Sequence, residues 1–416
     1  MGGQDRSYIA GGNRQIPPGL ARCHDLQDHD RLAASGIRIL RMIAYCLRIL
    51  YHPWRLMLTI NGRFLTQRMT GVQRYAHEML RALDDILAAR AAGSAIKVDL
   101  LVPQEAPESL PSLRAIGIRR VGRLHGHPWE QLELPRFSQG ILLNWCNTFP
   151  VALPRQMVVL HDASVHACPE GYTMAFRAYY RGLFAVAARR ASMKIATDSQ
   201  FSAAELHRFA GIPCSRITVI PCGADHWRNV VPDSTILDRL ALRHTPYLMA
   251  VGSENRNKNI ARLVAAFGRL SPSGTRLVLA GGSNPKVFAN MAASEADWLI
   301  RTGRLTDGEL ASLYSHARAF VFPSLYEGFG LPPLEAMMSG CPVVCSREAS
   351  LPEVVGEAAL YCEARDVDDI ALRLKQILED SALRERLIAA GTQQVRRYTW
   401  RDSAEKMLAL AQAGMS

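Results

Sequence analysis

Two carboxylates, Glu327 and Glu335, are separated by seven residues that read Gly-Phe-Gly-Leu-Pro-Pro-Leu. The apolar run Ala319-Phe320-Val321-Phe322 before them has the character of a buried strand. Pro332 and Pro333 suit the first turn of a helix, where a missing N–H costs nothing. On this reading Glu327 stays on a strand-to-helix loop and Glu335 falls in the first helical turn. The amides of Phe329, Gly330 and Leu331 are then unpaired donors at a helix N-terminus, which attracts phosphate. One loop would offer amides to a diphosphate and carboxylates to sugar hydroxyls on either side of it. Each Glu taken singly is equally at home as a surface charge or a partner of the helix dipole. The interval between them is what points to a nucleotide-sugar site.

This stretch resembles the signature of the retaining family-four (group 1) glycosyltransferases of bacterial polysaccharide biosynthesis. The resemblance implies an α/β chain with the GT-B fold: two Rossmann-like domains facing across a cleft, with a C-terminal helix crossing back to the first. It implies that Glu327 approaches the donor sugar, that Glu335 binds the nucleotide ribose, and that Phe329, Gly330 and Leu331 hold the diphosphate. Val251-Gly252-Ser253-Glu254-Asn255-Arg256-Asn257-Lys258 follows a strand-like run. By resemblance Lys258 pairs with the diphosphate, where a cation suits a leaving group whose negative charge grows. Ser253 and Asn257 stand where the family often has a second basic residue, with Arg256 as the substitute. Gly303-Arg304-Leu305-Thr306-Asp307-Gly308-Glu309 resembles the loop lining the base pocket, through Arg304 and Leu305. Thr306 and Glu309 also have the spacing of a capping box.

In the first half, Asn61-Gly62-Arg63 follows the first strand and Thr70-Gly71-Val72-Gln73-Arg74 opens a long helix. Gly71 is carried over as a donor-side position where a side chain would fill the cleft. Arg63 and Arg74 are candidates for acceptor phosphate. His161-Asp162 ends the strand Met157–Leu160, and strand C-termini face the crevice of open α/β sheets. The resemblance brings His161 to the donor sugar as a catalytic residue beside Glu327 and Lys258, while Asp162 orients the imidazole or meets an acceptor hydroxyl. Ser202 reads as an N-cap with Glu205 three residues on. His127 to Gln131 and Asn147-Thr148 resemble segments that shape the acceptor side.

Positioning these groups requires two sheets. At 416 residues and 48% hydrophobic, the chain is long enough for two α/β domains. Strands are expected at 57–60, 98–102, 141–144, 157–160, 194–196 and 217–220, then at 247–250, 276–280, 298–300, 319–322 and 343–345. Helices are expected between them, among others at 72–87 and 172–190, and a closing pair at 371–397 and 401–412. The expected divisions are 1–56 as an N-terminal extension, 57–225 as the acceptor-side domain, 226–397 as the nucleotide-sugar domain and 398–416 as the returning helix. Ile37 to Trp54 is Leu/Ile-rich with Arg38, Arg41 and Arg48 and no acid. Such a segment lies on an anionic membrane, packs on the first domain, or precedes the true start.

The formal net charge of +11 calls for acidic partners. No zinc-finger spacing, basic zipper or strand-binding aromatic motif speaks for nucleic acid. A nucleotide-sugar donor, a glycan or polyprenyl-diphosphate-linked acceptor and an anionic membrane surface account for it. Nine cysteines occur without Cys-x-x-Cys pairing, and the N-terminus has no secretory pattern. A cytoplasmic enzyme, peripheral on the inner membrane face, is the expectation. The expected reaction is retaining transfer of a hexose, with GDP-mannose preferred over UDP-hexoses. No cofactor or metal is expected, since no Asp-x-Asp motif stands at the place for one. A sugar-nucleotide epimerase or phosphorylase on the same architecture is the rival enzyme. A basic membrane- or nucleic-acid-surface binding protein is the rival outside enzymes.

Overall fold

The computed structural model describes residues 56–90, 96–252, 255–270, 272–282 and 296–413. The basic segment at 37–54 and Ser253 lie outside them.

Two all-parallel sheets make up the described chain. The first has seven strands: β1 (Leu56–Asn61), β2 (Ile96–Val102), β3 (Gly117–Arg120), β4 (Ile141–Asn144), β5 (Gln156–Val159), β6 (Lys194–Thr197) and β7 (Ile217–Val219). Their order across the sheet is β3-β2-β1-β4-β5-β6-β7. The second has six: β8 (Tyr247–Val251), β9 (Arg276–Ala280), β10 (Leu299–Gly303), β11 (Ala319–Phe322), β12 (Val343–Ser346) and β13 (Ala359–Cys362), in the order β10-β9-β8-β11-β12-β13. Strands β4, β5, β11 and β12 are buried at every position, because helices cover both faces.

The longer helices are α1 (Gly71–Ala89), α2 (Met174–Arg189), α3 (Gln200–Ala210), α4 (Ile260–Leu270), α5 (Asp307–His316), α6 (Leu331–Met338), α7 (Val367–Glu379), α8 (Ser381–Gln394) and α9 (Trp400–Ala413). The 371–397 expectation of one helix is corrected: Asp380 ends α7 and its side chain accepts from Leu383 N, capping a new helix. The expected N-cap Ser202 is also corrected. α3 is capped by Ser199, whose oxygen accepts from Ser202 N at 3.0 Å.

In each sheet the strand order reverses between two neighbours, β1 and β4 in one, β8 and β11 in the other. Ligands of open parallel sheets gather at such switch points, beyond the strands' C-terminal ends. The segments with Glu327, Lys258 and His161 follow β11, β8 and β5, and the one with Gly71 follows β1. The connection from β7 to β8 joins the lobes, and α9 returns to it and packs on α1. Ala224 N donates to Tyr398 O at 3.0 Å, Trp400 N to Asp225 Oδ1 at 2.8 Å, and Ser403 Oγ to Pro221 O at 2.6 Å. The expected GT-B architecture, crossing helix included, is thus present.

Candidate active site

The loop after β11 is held by its carbonyls. Ser350 Oγ donates to Glu327 O at 3.0 Å and to Phe329 O at 2.8 Å. Ser199 and Ser202, from the first lobe, both donate to Gly328 O, at 2.6 and 2.9 Å. With the carbonyls so engaged, the amides of Phe329 and Gly330 meet no acceptor among the described residues. Gly330 takes a left-handed conformation, φ +102°, as the N-cap of α6. Gly328 is pressed against the first lobe: a Cβ there would stand 2.7 Å from His161 O. Tyr326 crosses as well, its OH accepting from Ala163 N at 3.3 Å. Pro332 and Pro333 do open α6, but the expectation for Glu335 is corrected. It is the helix's fifth residue and no acidic group lies in the first turn.

Lys258 Nζ stands 2.7 Å from Glu327 Oε1, with both side chains mostly buried. The turn Arg256–Lys258 is sewn to the β11 loop beside it. Leu325 N donates to Asn257 O at 2.7 Å, and Asn257 Nδ2 donates to Tyr326 O at 3.2 Å. Asn259, left-handed at φ +59°, donates to Pro323 O at 3.1 Å and Ala364 O at 2.6 Å. Asn257 is therefore a strap rather than a second cation, and Arg256 is exposed beside it. A cavity of about 240 Å³ opens beyond β8, β9 and β10, lined by Gly252, Leu279, Gly281, Gly282, Arg301 and Gly303. Arg304 is exposed next to it and Leu305 packs on the core, and neither is among the residues that line it. Thr306 and Glu309 form the expected capping box of α5. A larger cavity, about 580 Å³ and lined by Arg243, His244, Arg318 and Arg384, lies at the opposite end of this sheet, away from every residue foreseen.

His161 is buried, and both its ring nitrogens are engaged. Nδ1 lies 2.6 Å from Asp198 Oδ2 and Nε2 lies 2.8 Å from Trp145 O. A carboxylate and a carbonyl only accept, so both nitrogens donate and the ring is an imidazolium. Burial opposes that charge, but the Asp198 carboxylate and its hydrogen bond outweigh it and raise the pKa above the usual histidine value. Asp162 does not orient the ring. Its Oδ1 accepts from Ser164 N at 2.8 Å, and the residue faces Gly328. Asp198 was missed as a site residue, although a carboxylate directly after β6 was the available signal.

Arg63 is buried as well. Its Nε lies 3.2 Å from Glu130 Oε1 and its Nη2 donates to Thr148 Oγ1 at 2.8 Å. Asn61 Nδ2 and Thr148 Oγ1 also donate to Glu130 Oε1, at 2.7 and 2.8 Å. Burial pushes the Glu130 carboxyl up, but His127, Arg63 and these donors together hold it below the ordinary value. Arg74 lies instead on the rim and binds Asp307 of the other lobe. Gly71 begins α1; a Cβ there would meet no protein atom within 4 Å, so the fold itself does not demand glycine at this position.

Comparison with known proteins bears on the family and the fold. Residues 238–394 match the family model described as glycosyl transferases group 1. The O-antigen chain mannosyltransferase B of Escherichia coli is 36% identical over 286 residues, covering 66% of this chain and 74% of that protein. Among solved structures, sucrose-phosphate synthase from Thermosynechococcus elongatus superposes with a TM-score of 0.65 at 22% identity, covering 86% of this chain and 98% of that one. WaaG, a glycosyltransferase involved in lipopolysaccharide biosynthesis, gives 0.63 at 17% identity, covering 85% of this chain and 99% of that one. These structural likenesses concern the fold, whereas the match along the sequence decides the family: the chain belongs to the group 1 glycosyltransferases.

Proposed function

We propose that the protein transfers a hexose, with retention at the anomeric carbon, from a nucleoside-diphosphate sugar to a growing surface glycan. The observation that carries this reading is the meeting of Lys258, Glu327 and the free amides of Phe329 and Gly330 opposite the His161-Asp162 backbone. In it, Glu335 takes the ribose and the cavity beyond β8 to β10 takes the base. Glu327 faces the sugar hydroxyls. Lys258 and the amides take the charge that builds on the departing diphosphate. His161 acts as a buried cation that fixes the backbone under the sugar. Arg63, held in its buried network, and Asp162 border the acceptor side.

The acceptor hydroxyl oxygen bonds to the anomeric carbon on the face from which the diphosphate leaves. The electron pair of the broken C–O bond passes to the leaving phosphate oxygen, which also takes the hydroxyl proton. No metal is needed in this scheme, because Lys258 and the amides do the electrostatic work. Among the described residues no group of three or more His, Cys, Asp or Glu could hold a metal ion.

Mannose from GDP-mannose is the preferred donor, on the strength of the named activity of the Escherichia coli relative. Its O-antigen role favours a polysaccharide acceptor on a polyprenyl diphosphate. A cytoplasmic enzyme lying peripherally on an anionic membrane is consistent with the +11 charge. Exposed Met174 and Phe176 at the start of α2, beside Arg177 and Arg181, are consistent with it too. No helix among the described residues is long and apolar enough to cross a membrane.

A thermal-shift screen over GDP- and UDP-sugars tests the donor, followed by NMR of the product's anomeric configuration. Stabilisation by GDP-mannose and a retained α-linkage support the reading; an inverted product refutes it. Loss of activity in EDTA, restored by manganese, refutes the metal-free scheme.

A further inference from the structure

The connection between the lobes runs directly behind Glu335. His226 lies on that connection, with Nε2 3.5 Å from Glu335 Oε1, and the two side chains are 4% and 11% exposed. On the other side of its ring, Nδ1 is 3.1 Å from Trp400 Nε1. An indole N–H only donates, so Nδ1 is the acceptor and the imidazole proton sits on Nε2. That N–H is buried and makes no hydrogen bond among the described residues. A buried donor left unmade costs free energy, and the carboxylate in front of it is the group that can relieve the cost. Trp400 itself is fixed at the first turn of the crossing helix, its amide donating to Asp225 Oδ1 at 2.8 Å.

We propose that Trp400 and His226 form a positioning chain for Glu335, so that the crossing helix of the first lobe sets the nucleotide ribose contact of the second. Trp400 selects the imidazole tautomer. His226 Nε2–H steadies one carboxylate oxygen from behind, which leaves the other to accept from ribose hydroxyls. His226 Nε2 is buried behind the carboxylate, so it acts on the nucleotide through Glu335. Were the tautomer reversed, a lone pair would face the carboxylate and turn it from the ribose. The inference rests on the reading of Glu335 as the ribose ligand.

The test compares the Kd of GDP with that of 2′,3′-dideoxy-GDP by calorimetry on the full chain. The wild type should prefer GDP by roughly 30-fold, the scale of hydrogen bonds to a charged group. Glu335→Gln should bring that ratio close to one. His226→Phe and Trp400→Phe should each reduce it to a few-fold. His226→Gln, which returns an N–H near the Nε2 position, should recover most of it. A merely structural role would weaken both ligands alike and leave the ratio at the wild-type value. If the ratio collapses in Glu335→Gln but stays at the wild-type value in His226→Phe and Trp400→Phe, the positioning chain is refuted and the ribose reading stands. If Glu335→Gln itself keeps the wild-type ratio, the ribose reading is refuted and the chain with it. Should His226→Phe fail to fold, Trp400→Phe against His226→Gln decides between the same outcomes.

Discussion

Arg74 Nη2 donates to both carboxylate oxygens of Asp307, at 2.7 and 2.6 Å, across 233 residues of sequence and from one lobe to the other. One partner opens α1 and the other opens α5, so the pair joins the two rims of the cleft. Asp307 is 41% exposed, which limits the pair to about 0.5–1 kcal/mol. Arg74→Ala and Asp307→Ala should each lower kcat/KM by about 2- to 5-fold, and the double variant by no more than either alone. Steady-state kinetics on the four proteins checks this; additive losses would show that the two residues act separately.

Lys258 and Glu327 are tied at 2.7 Å inside a mostly buried site, so neither can change without affecting its partner. Lys258→Ala should lower kcat by about 10²- to 10³-fold, the usual effect of removing one preorganised charge from a site. Glu327→Gln should lower turnover comparably while changing nucleoside-diphosphate affinity only a few-fold. Calorimetry with GDP and UDP, beside initial rates, separates the two effects.

Stability should depend on the His161–Asp198 pair above neutral pH. The folded imidazolium has a raised pKa, against about 6.5 for an unperturbed histidine. Its stabilising contribution is therefore complete below about pH 6.5 and is lost as pH climbs through the folded value. Between pH 6 and 9, the unfolding midpoint of the wild type should fall more steeply than that of Asp198→Asn. Parallel midpoint curves would mean that the ring is not charged in the folded protein.

A methyl group at position 328 would meet His161 O at 2.7 Å and Asp162 Cβ at 2.9 Å, both on the opposite lobe. Overpacking of this kind costs about 1–3 kcal/mol if the backbone stays in place. The lobes can relieve it by moving apart, which would displace Glu327 from the first-lobe backbone. Gly328→Ala should therefore lower kcat at least about 10-fold, with a melting point only a few degrees below wild type. Turnover within twofold of wild type would contradict the close approach.

Strands such as Ala319–Phe322 were legible because both their faces are covered, which writes an unbroken apolar run into the sequence. The edge strand Gly117–Arg120 was not: its positions alternate between exposed and half-buried, and two of the four are arginines. Gly330, Pro332 and Pro333 marked the start of α6 through local chemistry, which sequence carries well. Local pattern also promised Ser202 as a cap, yet Ser199 does that work and Ser202 binds Gly328 across the cleft. Asp198 with His161, Arg74 with Asp307 and His226 with Glu335 are all products of tertiary folding. No spacing along the chain announces such pairs.

The most direct measurement is a crystal structure of the protein with an intact nucleoside-diphosphate hexose. The diphosphate should lie against the amides of Phe329, Gly330 and Leu331 and beside Lys258, the hexose against Glu327 and the ribose at Glu335. A donor bound instead among Arg243, Arg318 and Arg384, at the far end of the second sheet, would contradict it.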